Sequence, residues 1–446
     1  MHHTGNVRQA DVVIAGSGPG GATVARELSR AGKKVIICEA GAYHRGCGLT
    51  VAMLSYFKNL GLTFSKEGSW VLRPQTVGGA TSVYMGTAMM PPPWLKDKYG
   101  IDITAECKEF YDEVPIKPLS ENLMGEAPLR LMDAARSMGI DWHPLDKMMR
   151  HDKCIPNCGK CATGCHIPGA RWTAREYVED AWAHGAELLI RTEVKKVLTQ
   201  NGKAVGVRAV GPEGEMDIMA DTVVIAGGGQ GTPPIMQRSG IYDAGKGFFG
   251  DPLWLVWAPS DRVGTNHCVP MGTGANFADD GFFLFDLAGP FLFWAGNMTF
   301  KFPFGILEAP KALVNYNNIY AIMIKCRDSL DGMANIDDSF SKPIDYNVMG
   351  QLNKATAISQ EILARAGCRW KEMTNSCIIG AHPGGTMRIG NLLDKDCQTQ
   401  IKDCYCMDTS IIPEPWGLPP VVTLVGMAKR LSKKLLGVGA KKEKEK

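Results

Sequence analysis

The sequence predicts an α/β fold: a doubly wound parallel sheet joined to a second, α+β unit built on an antiparallel sheet. Three observations carry this. A strand, a glycine turn, a helix and a second strand follow one another over residues 11–39. Another apolar strand enters a glycine-rich turn at 221–241, and residues 246–370 then change to an aromatic-dense pattern.

Residues 11–15 read as a short apolar strand, followed by Gly16-Ser17-Gly18-Pro19-Gly20-Gly21 and the helix-like run ATVARELSRAG. The next strand, KKVIICEAG, contains Glu39 near its end. Gly16 allows the tight turn, and Gly18 lets backbone N–H groups approach a pyrophosphate. Gly21 lets helix and strand pack closely, while the helix N-terminus favours phosphate charge. Glu39 stands where a carboxylate accepts both hydroxyls of an adenosine ribose, which disfavours a 2′-phosphate and so NADP.

The stretch GAELLIRTEVKKVLTQNGKAVGVRAV alternates like antiparallel strands with a turn at Asn201-Gly202. DTVVIAGGGQGTPPIMQRSGI (221–241) is a second buried strand running into a glycine turn and helix. One discontinuous nucleotide-binding unit is therefore expected from residues 1–95, 150–245 and 375–446. Residues 96–149 read as a connecting or cap segment and 246–374 as the second unit. Eight of the fifteen Phe fall between 282 and 304, with Trp294 among them and Trp254 and Trp257 upstream. That pattern suits an aromatic-dense sheet, as core or as the apolar wall of a substrate pocket.

A chain of 446 residues with 45% hydrophobic and 21% charged residues has an ordinary globular balance and material for two cores. Its net charge of +3 does not suggest a nucleic-acid partner. No apolar leader precedes the first strand, which points to the cytoplasm. The most apolar stretch, 281–305, is interrupted by Asp286, Pro290, Asn297 and several glycines, so no membrane span is expected. The tail GAKKEKEK reads as a solvated charged end.

Fourteen cysteines without an export signal argue for reduced thiols rather than a disulfide scaffold. Ten of them, including Cys38, Cys47, Cys107, Cys404 and Cys406, read as small buried hydrophobes. The other four, Cys154, Cys158, Cys161 and Cys165, lie in CIPNCGKCATGC, a loop punctuated by Pro156, Gly159 and Gly164. Zinc accepts four thiolates but usually takes two pairs divided by a longer spacer. Iron–sulfur clusters favour compact runs; CGKCATGC matches that type, whereas the C-x3-C at the front does not. His166, just beyond, reads as a surface or neighbouring group.

Four separated blocks resemble the glucose–methanol–choline (GMC) oxidoreductases, in that family's order and over nearly the whole chain. They are DVVIAGSGPGGATVARELSRAGKKVIICEAG, TVGGATSVYMGT (76–87), DTVVIAGGGQGTPPIMQRSGI, and AHPGGTMRIG with the following CYCMDTSIIPEPWGLPPVVTLVGMAKRL. The resemblance implies FAD on a Rossmann-like domain. Its ADP part would lie over Gly16, Ser17, Gly18 and Gly21, its ribose on Glu39, and adenine near the backbone of Val194. Gly78, Gly79 and Thr81 of the second block, with Asp408 and Pro420 of the last, are the further cofactor positions it implies. The catalytic base implied is His382 of the AHPGGT block, and an imidazole suits that role at neutral pH.

Two positions depart from the family pattern. Pro419 falls where the family usually carries a second polar residue, His or Asn, and Tyr84 replaces the usual Asn of the second block. The partner of His382 is then either missing or supplied from elsewhere. Some proteins resembling this family carry an iron–sulfur cluster on cysteines in the same region, just before a segment comparable with PGAR (168–171).

The expectation is thus an FAD-dependent dehydrogenase that oxidises a hydroxyl on an organic, apolar or cyclic substrate. Electrons would leave through a [4Fe–4S] cluster on the four cysteines to a protein acceptor such as a ferredoxin, a cytochrome or another redox subunit. The alternatives are a flavin and iron–sulfur reductase of a C=C or C=O bond, a non-redox FAD lyase with structural zinc, and an electron-transfer subunit without its own substrate. The composition admits an oligomer.

Overall fold

The computed structural model describes residues 8–61, 63–299 and 305–438. The charged tail, Phe300, Phe302 and Phe304 therefore lie outside the described residues.

β1 (Arg8–Ala15) runs through the glycine turn into α1 (Pro19–Arg30) and β2 (Val35–Glu39). The crossover makes β2 parallel to β1, with Ile14 opposite Ile37. Helix α2 (Ala174–Ala183) leads to β3 (Glu187–Ile190), parallel on the far side of β2. β4 (Glu193–Gln200) and β5 (Lys203–Gly211) form the expected hairpin, whose turn holds Asn201 at φ 52° and Gly202 at φ 75°. β6 (Gly214–Ile225) pairs antiparallel with β5 and then parallel along the other edge of β1. It ends at the second glycine turn, where α3 (Gly228–Arg238) begins. The strand order is β3-β2-β1-β6-β5-β4. Val13, Ile14, Ile37, Val223 and Val224 in its centre are almost wholly buried, as parallel strands covered on both faces require.

The second sheet is mixed but mostly antiparallel. β7 (Pro252–Pro259), β8 (Thr273–Phe277) and β9 (Phe282–Asp286) are followed by α4 (Phe291–Thr299). β10 (Ile319–Cys326) takes the centre of the sheet between β7 and β9. Every residue of β10 is buried, and the strand alternates between two cores. Tyr320, Ile322 and Ile324 pack with α5 (Tyr346–Arg365), while Ile319, Ala321 and Met323 face Trp257, Phe285 and Trp294. The short β11 (Ile379–Gly380) pairs with β7 and with Trp70–Val71. β12 (Cys404–Cys406) then returns to the first sheet, parallel to β6, and α6 (Val421–Leu435) packs on α1.

The α/β fold with one parallel-centred sheet and one antiparallel-rich sheet is as the sequence predicts. The aromatic segment differs in part. Among its described residues only Phe282–Asp286 is strand, and Phe291–Thr299 is helix. Pro290 cannot donate to a ladder, and its fixed φ suits a helix start, so the strand stops before it. Trp294 on this helix meets Trp257 of β7 edge-on at 6.1 Å.

All fourteen cysteines are free thiols. Eight of the ten outside the compact loop are buried, as expected, but Cys377 is partly exposed and Cys47 is exposed. Among the described residues no helix is long and apolar enough to cross a membrane.

Candidate functional site

A cavity of about 410 Å³ lies between the β1–α1 turn and one face of the second sheet. Gly16, Ser17, Gly18, Glu39, Gly79, Thr81, Val194, His382, Asp408 and Pro420 all line it, so ten of the positions singled out in sequence meet in one place. Gly21 and Gly78 stand behind the wall. A Cβ on Gly21 would lie 2.3 Å from the Gly16 carbonyl oxygen, which is the close helix–strand packing expected of it. Gly78 holds φ 91° and donates its N–H to Ser17 Oγ at 3.2 Å.

The first turn fits a phosphate-bearing dinucleotide. Nothing stands within 4 Å of where a Gly18 Cβ would project, so the cavity reaches the backbone there. Helix α1 has neither a side-chain cap nor an acidic residue in its first turn, which leaves its amide groups to a ligand anion. Glu39 closes the same corner: it accepts from Ser17 N at 3.1 Å, Ser17 Oγ at 2.5 Å and Gly41 N at 2.7 Å. Burial raises its carboxyl pKa against these bonds. Further along, Gln230 Oε1 is buried without a hydrogen-bond partner and its residue lines the cavity. Such an orphaned acceptor is costly unless a ligand donor meets it.

Asp408 lines the cavity and also braces a neighbouring turn. Its carboxylate accepts from Gly228 N at 2.9 Å, Thr232 Oγ1 at 2.5 Å and Ser410 N at 2.7 Å, so it clamps the second glycine turn. Thr386 and Thr409 tie that turn to the His382 loop: Thr386 donates to the Gly229 carbonyl at 2.9 Å and Thr409 to the Pro383 carbonyl at 2.6 Å. Gly229 is needed here, because a Cβ would sit 2.1 Å from the Pro383 carbonyl oxygen.

His382 faces the cavity with a quarter of its side chain exposed. Pro419 lines the wall nearby and offers no polar side chain. The group that meets the ring is Lys325, whose Nζ hydrogen-bonds Nδ1 of His382. Lys325 is 1% exposed and lies 3.3 Å from Asp251 Oδ2; the same oxygen is 3.6 Å from His382 Nδ1. Burial and the nearby Lys325 push His382 down to about 4, against Asp251 and the Leu418 carbonyl. Burial pushes Lys325 down to about 8, against Asp251.

Neither Lys325 nor Asp251 stands out by motif. One signal was available: in IYAIMIKC the lysine shares strand parity with Ile319, Ala321 and Met323, so it had to point into an otherwise apolar face. Beyond the pair, the wall is apolar, with Leu253, Met271, Leu287, Phe293, Met323 and Ile379.

The cysteine loop reaches this cavity through Ala162, between Cys161 and Thr163 of a short 3-10 turn. Cys161 is buried, Cys154, Cys158 and Cys165 are partly exposed, and His166 is exposed. Among the described residues no three Cys, His, Asp or Glu side chains converge as ligands of one ion. Cys154 is nonetheless within electrostatic reach of the other three thiols. Burial, then Cys161, Cys158 and Cys165, raise Cys154 to about 12. Two buried cations adjoin the loop. Lys147 is wholly buried and Arg171 is 3% exposed, and among the described residues neither forms a salt bridge. Both act to lower the Cys161 thiol pKa, against a burial that raises it.

Fold and site together define an α/β protein whose dinucleotide-type glycine turn opens on the same cavity as a partly exposed histidine. Residues 36–271, more than half of the chain, match the GMC oxidoreductase family, and the chain belongs to it. An uncharacterised GMC-type oxidoreductase of Mycobacterium tuberculosis is 30% identical over 255 residues, 53% of this chain and 40% of that protein. A long-chain-alcohol oxidase of Arabidopsis thaliana is 27% identical over 282 residues, 56% of this chain and 37% of that protein. The chain thus spans well under half the length of these relatives. An uncharacterised protein of Methanocaldococcus jannaschii is 23% identical over 431 residues, 96% of this chain and 100% of that protein. The crystal structure of pyridoxine 4-oxidase from Mesorbium loti superimposes with a TM-score of 0.71 at 16% identity, over 96% of this chain and 99% of that one. That likeness concerns the fold.

Proposed function

We infer that the protein is an FAD-dependent dehydrogenase that oxidises a hydroxyl group on an apolar or cyclic organic substrate. Its electrons would leave through a [4Fe–4S] cluster on Cys154, Cys158, Cys161 and Cys165 to a protein acceptor. One observation carries this reading: a single cavity is lined by the dinucleotide turn, His382, an apolar wall and Ala162 of the cysteine loop.

Gly16, Ser17, Gly18 and the α1 amides would hold the pyrophosphate and Glu39 the ribose. Val194 would meet the adenine, and Gly78, Gly79, Thr81, Asp408 and Pro420 would frame the remainder. FAD, when bound, supplies a two-electron acceptor for hydride. The chain's own residues do the rest: Leu253, Phe293 and Met323 exclude water, and His382 handles the hydroxyl proton. The long-chain-alcohol oxidases among the relatives agree with an apolar alcohol.

Glu39→Gln is expected to weaken flavin retention about tenfold, because a charged acceptor is replaced by a neutral amide beside the ribose site. Fluorescence titration of the apoprotein with FAD checks this, and unchanged affinity would remove Glu39 from the cofactor site.

For the cluster, the support is electrostatic. Lys147 and Arg171 are buried without a carboxylate ion pair among the described residues; both lie within electrostatic reach of Cys161, and Lys147, which donates to the Met85 and Pro270 carbonyls, also of Cys154. A buried cation is costly unless an anion balances it, and a thiolate-ligated cluster is such an anion. Each thiolate of a four-iron cluster binds a different iron, so the sulfurs need not close on one point as they do around zinc. A cluster would pass on singly the electrons that a flavin collects in pairs.

The test is anaerobic purification with iron, sulfide, zinc and flavin quantitation, and EPR of the dithionite-reduced protein. About four irons and four sulfides per flavin are expected, with loss of the signal in Cys161→Ser. Flavin without iron would favour a second reading, an oxidase passing electrons directly to dioxygen, to which the relatives named oxidases point.

A further inference from the structure

The reading above gives His382 the task of removing the substrate proton, yet its ring does not face the cavity alone. Asp251 is wholly buried, holds φ 48°, and has no hydrogen-bond partner on either carboxylate oxygen among the described residues. A non-glycine residue in the left-handed region carries backbone strain, and a buried carboxylate without hydrogen bonds carries a desolvation cost. Both are kept in place by Asp328, whose Oδ2 accepts from Gly250 N at 2.6 Å and Asp251 N at 3.2 Å. The groups left to answer the Asp251 charge are Lys325 at 3.3 Å and His382 at 3.6 Å.

We propose that Lys325, held by Asp251, is the terminal proton acceptor of the site, and that His382 relays the substrate proton to it across the imidazole ring. This rests on the alcohol-oxidising reading above and deepens it.

The relay follows from what each group can donate. A lysine ammonium has donors only, so it forces Nδ1 of His382 to accept and places the ring proton on Nε2. In that state the histidine is a donor and cannot act as a base. Neutral Lys325 has a lone pair. Nδ1–H then donates to Nζ, with Asp251 favouring the same tautomer, and Nε2 is left bare. As the substrate hydroxyl gives its proton to Nε2, the Nδ1 proton passes to Nζ. Lys325 becomes an ammonium beside the Asp251 carboxylate, and His382 stays neutral. The carbon loses its electron pair as hydride to the flavin of the proposed reading and becomes a carbonyl, so protons and electrons balance.

The charged and titratable groups around Lys325 are few. Asp251 approaches from the loop before β7 and His382 from the loop after β11. Asp328, from the turn after β10, stands beyond Asp251 and is itself paired with Lys342 at 3.0 Å. With Lys325 lowered to about 8 by burial and His382 lowered to about 4, the ring is neutral at physiological pH and the lysine is the group that changes. The base-competent tautomer therefore grows in as pH rises through the lysine midpoint.

The test is the ring ¹⁵N spectrum of histidine-labelled protein as purified, across about pH 6 to pH 10, with His382→Gln to assign the signals. The expected result is a ring that stays neutral while its proton moves from Nε2 to Nδ1 near pH 8. In Lys325→Met that midpoint disappears. In Lys325→Arg, which keeps its charge, the proton stays on Nε2 throughout. Asp251→Asn moves the midpoint to lower pH, because the carboxylate that favours the ammonium is gone. An ordinary imidazole titration near pH 6.5 in the wild type, or a tautomer unchanged over the range, overturns the relay. Flavin absorbance of the same samples separates the two levels. Flavin with no tautomer exchange overturns the relay alone. Exchange in a protein that takes up no flavin upholds the pair and overturns the function proposed above.

Discussion

Gly16→Ala yields a protein that retains little flavin and unfolds at markedly lower denaturant. Gly16 adopts φ 108°, and an added Cβ would sit 2.2 Å from the Ala226 carbonyl oxygen. That oxygen belongs to backbone at the end of β6, tied to β1 through Ala226 N–H donating to the Ala15 carbonyl at 2.7 Å. The methyl cannot be accommodated by a side-chain rotation; β1 and β6 must part where the turn forms. Left-handed strain and overpacking together cost about 2–5 kcal/mol, a large share of the roughly 5–15 kcal/mol that stabilises a folded protein. Gly32→Ala is the control. Gly32 also has a positive φ, 81°, but nothing lies within 4 Å of its Cβ position, so it bears the strain alone and loses about 1–2 kcal/mol. Urea midpoints and flavin-to-protein ratios decide the matter; equal losses in the two variants would mean that the contact with Ala226 is irrelevant.

His382→Gln is expected to lower alcohol-dependent flavin reduction by about 100-fold or more while flavin content stays near that of the wild type. The side chain faces the cavity, whereas the loop's structural bonds come from its backbone, His382 N–H to the Gly250 carbonyl at 3.1 Å, and from Thr386 and Thr409. Glutamine keeps a polar group of similar reach but cannot accept a proton at neutral pH. In the wild type the same rate should rise about tenfold per pH unit below pH 8 and level off above it, since burial lowers the Lys325 pKa to about 8 and only the neutral amine frees His382 to accept. Anaerobic stopped-flow measurement at 450 nm reads both effects. A variant within about threefold of the wild type would remove His382 from the chemistry.

Much of the site is legible because it is written in consecutive residues. Gly16 takes a positive φ that glycine adopts readily, Gly20 and Gly21 allow close backbone approach, and the turn brings its own strand and helix with it. The AHPGGT loop is similar: Gly384 and Gly385 let it pass against Thr409 and Gly247, where a Cβ would lie 2.6 Å and 2.7 Å from carbonyl oxygens. The roles of individual residues were less legible. Asp408 lines the cavity as expected of a cofactor position, but the sequence did not show that its carboxylate accepts from the Gly228 amide and Thr232. The segment after Pro290 is helical, because an apolar aromatic run has no period that separates a strand from a buried helix.

The amino-acid sequence by itself determined the α/β class, the two glycine turns, the position of His382 and the compact group of four cysteines. In each case a local run of backbone preferences or side-chain types specifies the feature without reference to the rest of the chain. Tertiary structure alone decided what His382 touches. Lys325 and Asp251 reach it from two other segments, and their meeting depends on which face of β10 the lysine occupies and on the register that sets Lys325 opposite Leu253 of β7 and Phe283 of β9. It also decided that Lys147 and Arg171 come within electrostatic reach of Cys161. Strand parity, register and layer packing are long-range outcomes, settled by burying two faces of one sheet at once, and no short stretch of sequence encodes them.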